Sequence, residues 1–255
     1  MISKDISNQT VLVTGAGRGL GAAIATAFAR EGARVVINYR NSKDDAETLA
    51  ARLGDRAIAL QADVQDPDAV AQMVSGVETK AGPITTVIHN ALADFSFNGD
   101  ARTTLTNLTA DEMLSQHNTA VLGALNVIKA TTPAMEKAGF GRIVTIGTNL
   151  FQNPVVPYHD YTSAKAALLA LTRTAAAELG PKGITVNMVS GGLLRTTDAS
   201  AATPTEVFDY IAGVTPLRSV TEPAEAADAV LFFASPWARA VTGQNLIVDG
   251  GLVFG

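Results

Sequence analysis

Short apolar runs rich in β-branched residues recur along the chain and alternate with longer segments of helical period. Seven of the runs read as strands, at residues 10–14, 34–38, 57–61, 86–89, 142–146, 185–189 and 244–248. Their near-continuous apolar character suits strands buried on both faces of a parallel sheet. Between them the pattern predicts helices over residues 20–31, 44–53, 67–81, 109–138, 161–179 and 223–234. Gly32 and Gly180 stand where helix C-terminal glycines belong, and Thr109-Ala110-Asp111-Glu112 reads as a capping box. The alternation predicts an α/β chain with a doubly wound Rossmann fold, a seven-stranded parallel sheet flanked by helices, in one domain over residues 1–255.

Two segments break the alternation. Residues 92–108 carry Phe95, Phe97, Gly99 and Asp100, and residues 191–217 are rich in Thr, Ala and Pro. Both leave the carboxyl ends of strands, the edge at which open α/β sheets bind ligands. Phe95, Phe97, Phe151, Phe208 and Tyr210 either line an apolar pocket there or pack the loops.

Composition narrows the classes. At 255 residues, 47% hydrophobic and 17% charged, the chain can bury a large core and falls outside the disordered class. A net charge of −5 provides no basic field for nucleic acid. There is no cysteine, hence no disulfide framework and no thiolate chemistry. Residues 1–10 lack the charged head and apolar run of a signal peptide, and no apolar run reaches the ~18 residues of a membrane span. The expectation is a cytoplasmic protein without a membrane partner. His89, His117 and His159 share no metal-ligand spacing, so no metal is expected.

The first strand runs into Thr14-Gly15-Ala16-Gly17-Arg18-Gly19-Leu20-Gly21 and then a helix. Glycines allow a tight turn and close approach to a pyrophosphate, which the helix N-terminus favours; the other reading is a structural turn. At the end of the second strand, where NAD sites commonly place an acid, the chain has Asn38-Tyr39-Arg40. Arg40 and Arg18 would suit a 2′-phosphate and hence NADP(H), unless both are solvated surface.

Tyr161 and Lys165, four residues apart, share one helical face. An ammonium beside a phenol favours the phenolate and moves a pKa near ~10 toward the working range of an acid/base. Such a pair also occurs by chance on surfaces. Thr148, thirteen residues upstream, could bring a hydroxyl beside the phenol.

Taken together, these segments resemble the short-chain dehydrogenase/reductase family over essentially the whole chain. The matching pieces run in order: TGAGRGLG at 14–21, Ala62-Asp63-Val64, His89-Asn90-Ala91, Asn118, GRIVTIG at 141–147, YTSAK at 161–165, GITVN at 183–187 and VDGG at 248–251. The 3-oxoacyl-acyl-carrier-protein reductase group is the most similar branch, through GRIVTIG, PLRS at 216–219 and VTGQNLIVDGG at the end. The resemblance implies that Tyr161 exchanges a proton with the substrate oxygen, Thr148 hydrogen-bonds the carbonyl, Lys165 holds the nicotinamide ribose, and Asn118 binds a relay water. It further implies cofactor contacts from Gly15, Arg18, Gly19, Leu20, Gly21 and Arg40, with Asp63 and Val64 on adenine, Asn90 on a ribose and Thr196 on the carboxamide. A small-molecule carbonyl or alcohol is the implied substrate, an acyl thioester being one form of it, and a homotetramer the implied assembly. The fifth predicted helix, rich in alanine on more than one face, would serve as an interface.

Three departures from the family pattern stand out: Thr148 for serine, Leu92 for the glycine after Asn90-Ala91, and Gly191-Gly192 for Pro-Gly, which should loosen that loop. Two arginines with which carrier-protein reductases meet their acidic partner fall at Gly139 and Lys182 here, with Lys137 and Arg142 near enough in sequence to compensate. A free ketone is therefore expected to serve at least as well as a carrier-bound one. The alternative function is a non-catalytic NADP-binding regulatory protein.

Overall fold

In the computed structural model, residues 3–97, 102–195 and 197–254 are described. The strands are β1 (Thr10–Val13), β2 (Arg34–Tyr39), β3 (Ala57–Gln61), β4 (Thr86–His89), β5 (Gly141–Thr148), β6 (Ile184–Gly191) and β7 (Asn245–Val248). The helices are α1 (Gly19–Arg30), α2 (Lys43–Leu53), α3 (Pro67–Ala81), α4 (Ala110–His117), α5 (Gly123–Ala138), α6 (His159–Leu179), α7 (Thr205–Val214) and α8 (Pro223–Ala234). All strands are parallel in the order β3-β2-β1-β4-β5-β6-β7.

Side chains alternate across the strands, so each strand feeds two cores. Val11, Val13, Val35 and Ile37 join Ile24, Phe28, Val230 and Phe233 on the face covered by α1 and α8. Leu12 and Val36 join Met73, Val77, Val127 and Met135 on the face covered by α3 and α5. Because β1 pairs with both β2 and β4, the chain reverses direction of winding between β1 and β4. The crevice at their carboxyl ends is the switch point at which such sheets receive ligands.

The structure corrects several expected boundaries. Strand β5 runs on through Gly147 to Thr148 and β6 through Ser190 to Gly191, and these two ends pair with one another. Thr148 thus ends the strand instead of following it, because ladder pairing continues after the apolar pattern stops. The long fourth helix is broken by a π turn at Asn118–Leu122, with its capping box on Thr109 and Glu112 present. The segment 191–217 contains α7, whose aromatic, β-branched composition and lack of buried residues disguise it. Gly192 fits a close approach: a Cβ there would stand 3.1 Å from Asn149 and Asp249. The Gly191-Gly192 pair is thus the end of a paired strand and a tight contact, and not a loosened loop.

Gly32 has the positive φ of a helix-terminating glycine, but Gly180 does not. The chain after α6 continues as a 3-10 turn, and Gly183 takes the left-handed conformation at φ 81°. A Cβ on Gly183 would also collide with the carbonyl oxygen of Gly139. Gly183→Ala is therefore expected to cost about 1–3 kcal/mol in stability, measured by urea unfolding. An unchanged midpoint would show that this junction relaxes freely.

Candidate active site

The loop between β1 and α1 is shaped by glycines for distinct reasons. Gly15 and Gly19 have φ of 61° and 55°. A Cβ on Gly21 would strike the carbonyl of Gly15 and the Nδ2 of Asn90. Neighbouring strands then hold the loop in place. The Ala16 N–H donates to the Asn38 carbonyl at 2.8 Å, and Asn90 Nδ2 donates to the carbonyls of Thr14 and Gly15, both at 3.0 Å. Buried Asn38 also donates to the Ala62 carbonyl at 3.0 Å, tying β2 to the end of β3. Arg18 stands at the N-cap of α1 and makes no side-chain cap hydrogen bond, and among the described residues a Cβ on Gly19 would meet only Thr197, at 3.8 Å. A helix N-terminus without a side-chain cap, under a glycine with open space, fits a pyrophosphate.

The remaining expected cofactor residues line the same edge. Gly17 lies so close to Ser42 that a Cβ would sit 2.5 Å from its hydroxyl, which brings the loop against the segment following Arg40. Arg18 Nε lies 3.0 Å from Asp198, and Arg40 lies 3.9 Å from Asp63 and 3.7 Å from Asp94. Asp63 also accepts from the Gln65 N–H at 2.9 Å. Val64 is buried against Gly123, and half-buried Leu20 packs on the α1 side of the core. Thr196 lies outside the described residues.

At the carboxyl end of β5, Thr148 meets the first turns of α6. Tyr161 and Lys165 are buried, at 6% and 3% exposure. Lys165 Nζ donates to the Ile146 carbonyl at 2.7 Å and lies 5.7 Å from the centre of the Tyr161 ring. Burial pushes the lysine down to about 8. Burial also pushes the Tyr161 phenol up to about 12, partly offset by a hydrogen bond with Thr148, with Tyr158 raising it further. The phenol is thus raised by burial, where a lowering by Lys165 was expected; the ammonium is turned toward the Ile146 carbonyl of β5. Thr148 Oγ accepts from the Leu150 N–H at 3.3 Å and also hydrogen-bonds with the phenol, an interaction that favours the phenolate. Asn118 opens the π turn, which packs on α6 and whose Gly123 N–H donates to the Asn118 carbonyl. Such turns often mark functional sites.

Aromatic rings cover this cluster. Phe95 stacks on Tyr161 with ring centres 4.6 Å apart, and Phe97 meets it edge-on at 5.7 Å. The Phe97 N–H donates to the Ala199 carbonyl at 2.8 Å, so the loops after β4 and β6 close over the phenol together. Arg102 caps the other side of the arrangement. One guanidinium nitrogen donates to both carboxylate oxygens of buried Asp160, at 2.6 and 2.7 Å, and the group lies 4.3 Å from the Phe95 ring centre. Neither Arg102 nor Asp160 has a motif that would single it out in the sequence.

His89 is a further residue whose role emerges only in three dimensions. Thr14 Oγ1 accepts from the Asn90 and Ala91 N–H groups, both at 3.0 Å, so its proton goes to His89 Nδ1, 3.3 Å away. The ring is therefore neutral. Burial first, then the Lys165 charge, pushes it down to about 3, with the backbone of Thr119 and Ala120 opposing.

Comparison with known proteins agrees with this geometry. Residues 15–253 match the family model described as enoyl-(acyl carrier protein) reductase. The chain is 33% identical to the 3-oxoacyl-acyl-carrier-protein reductase FabG of Staphylococcus epidermidis, over 96% of this chain and 99% of that protein. It is also 33% identical to versicolorin reductase stcU of Emericella nidulans, over 96% of each. Among solved structures, a 3-oxoacyl-acyl-carrier-protein reductase of Brucella melitensis superposes with a TM-score of 0.88 at 32% identity, covering 98% of this chain and 93% of that one. A blue fluorescent protein from a metagenomic library, in complex with NADPH, gives 0.87 at 33% identity, covering 98% and 100%.

The neutral His89 has a pH consequence. Between about 6.5 and about 3 the unfolded chain binds a proton at this ring that the native protein refuses. Stability should therefore fall as pH falls through that window. His89→Asn should lose less unfolding free energy than the wild type between about pH 7 and about pH 4, whatever its stability at neutrality. Parallel pH dependences in denaturant titrations would show that His89 ionises in the native state.

Proposed function

The chain belongs to the short-chain dehydrogenase/reductase family, and from that footing we propose an NADP(H)-dependent oxidoreductase that interconverts a ketone and a secondary alcohol, with Tyr161 as acid/base. The observation that carries this reading is the phenol of Tyr161, buried between Thr148 and Lys165 at the same sheet edge as the glycine loop. When bound, the reduced nicotinamide supplies the hydride. A phenol held protonated is suited to donate to the substrate oxygen in the reductive direction, and the Thr148 hydroxyl then stabilises the phenolate left behind. Lys165 would hold the nicotinamide ribose, and Asn118 the water that relays protons to Lys165. Arg18 and Arg40 take the 2′-phosphate, Asp63 and Val64 the adenine, Asn90 a ribose and Thr196 the carboxamide, while Gly15, Gly19, Leu20 and Gly21 cradle the pyrophosphate. No observation favours a non-catalytic role.

Substrate form follows from the region where carrier-protein reductases place arginines. Gly139 caps α5 at φ 59°, a conformation unsuited to arginine. Lys182 is already 2.5 Å from Glu136. Arg142 is 1% exposed and so cannot meet a macromolecule at all. Of the two residues that could compensate, only Lys137 remains. A free ketone is the substrate this surface suits.

Among the described residues no helix is long and apolar enough to cross a membrane. A cytoplasmic homotetramer is the assembly proposed. Ala166, Ala170 and Ala177 of α6 are exposed, and Leu114, Leu122 and Leu125 leave apolar surface on the neighbouring helical run.

Tyr161→Phe should lower turnover on the order of 10²–10⁴-fold while the NADPH dissociation constant, read by cofactor fluorescence, stays nearly unchanged. Thr148→Ser should retain activity and Thr148→Val should lose most of it. Near wild-type rates for Tyr161→Phe would remove the phenol from the mechanism.

A β-ketoester should match or exceed the same acyl group on acyl-carrier protein in kcat/KM. A strong carrier preference that fades with rising salt would instead place an acidic protein partner at this surface.

A further inference from the structure

The two arginines assigned to the 2′-phosphate are already beside carboxylates, and those carboxylates are not placed at random. Asp94, near Arg40, immediately precedes Phe95, whose ring covers Tyr161. Asp198, on Arg18, immediately precedes Ala199, whose carbonyl holds the Phe97 N–H. Thr203 Oγ1 donates to the Phe97 carbonyl at 3.1 Å, so both sides of Phe97 are tied to the segment that Asp198 opens. Each arginine thus pairs with a residue of one of the two loops that close over the phenol.

We propose that Asp94 and Asp198 are internal stand-ins for the cofactor's 2′-phosphate, so that its arrival takes both arginines and releases the aromatic cover over Tyr161. This rests on the assignment of Arg18 and Arg40 to the 2′-phosphate. The energetics suit an exchange. Side chains in these pairs are well exposed, 63% for both Arg18 and Asp198 and 94% for Asp94. Exposed pairs of this kind contribute little individually. A phosphate dianion offers more charge and a third oxygen to the same guanidinium groups. The pair of half-buried Arg102 with buried Asp160 has no part in the exchange, so it keeps the far end of the loop anchored on α6. NADH, which lacks the phosphate, would leave the carboxylates in place and the phenol covered. Cofactor discrimination would then be expressed in substrate access as well as in cofactor affinity.

Adenosine 2′,5′-bisphosphate supplies the phosphate without the nicotinamide, and adenosine 5′-monophosphate is its control. Trp237 is the only tryptophan and is exposed, so Trp237→Phe with Phe95→Trp makes the cover the sole indole reporter. Acrylamide quenching should rise about two-fold or more with the bisphosphate and not with the monophosphate. Adding Asp94→Asn and Asp198→Asn should give the higher quenching without ligand. In the Trp237-containing protein the same two changes should tighten bisphosphate binding by about 3–10-fold and leave NADH binding unchanged. Hydrogen exchange at residues 94–97 of the unmutated protein, with and without the bisphosphate, reports the same release without a reporter substitution.

Quenching and exchange that ignore the bisphosphate, or asparagine variants that bind it no more tightly, would overturn the proposal. Arg18→Ala with Arg40→Ala separates the levels. If these variants bind the bisphosphate like the wild type, the assignment of the phosphate site fails. If they lose it while the asparagine variants behave as wild type, only the stand-in role fails.

Discussion

Lys165 is a cationic side chain sunk to 3% exposure and held by the carbonyl of Ile146, a peptide group in the middle of β5. Removing an ammonium from water is costly, and a single peptide dipole offsets only part of that cost, so the proton is held less tightly than in solution. Much of the site follows from accommodating that group. Strand β5 must run past Ile146 to put Thr148 beside the phenol. Helix α6 must start close enough to the sheet that two of its turns deliver Tyr161 and Lys165 against the same strand. The pairing of Thr148 with Gly191 keeps this end of β5 from fraying.

A second requirement is that the phenol be shielded and still reachable. Shielding comes from Phe95 and Phe97, which belong to a loop with little secondary structure of its own. Such a loop holds its position only if something outside it supplies anchors. At one end the anchor is half-buried Arg102 on buried Asp160, the residue before Tyr161. At the other end the anchors are exposed charges at the cofactor edge. A strong fixed contact and weak exchangeable ones divide the work of holding the cover and letting it move.

His89 and Thr14 serve the same edge from beneath. The threonine hydroxyl fixes the Asn90 and Ala91 N–H groups and passes its own proton to the imidazole, so the switch point between β1 and β4 is set by one three-way hydrogen bond. A charged imidazole would break that arrangement, since its Nδ1 could no longer accept. Burial and the proximity of Lys165 both act against charging.

Much of the fold was legible along the chain because parallel strands buried on both faces write themselves as unbroken apolar runs, and Val35, Val36 and Ile37 serve two cores at once. The glycine loop and the Tyr161–Lys165 spacing were legible because each chemistry is local, confined to one turn or one helix face. The extent of β5 and the presence of α7 were not, since backbone pairing leaves no side-chain pattern and α7 is a short helix of aromatic and β-branched residues with none buried. Ionisation was not legible for a related reason: spacing reports which groups are near, but burial, a property of the packed molecule, raises the phenol. The partnerships of Arg102 with Asp160, Arg18 with Asp198 and His89 with Thr14 span 58, 180 and 75 residues of sequence. Pairs so distant carry no local pattern, and only the winding of the sheet brings them together.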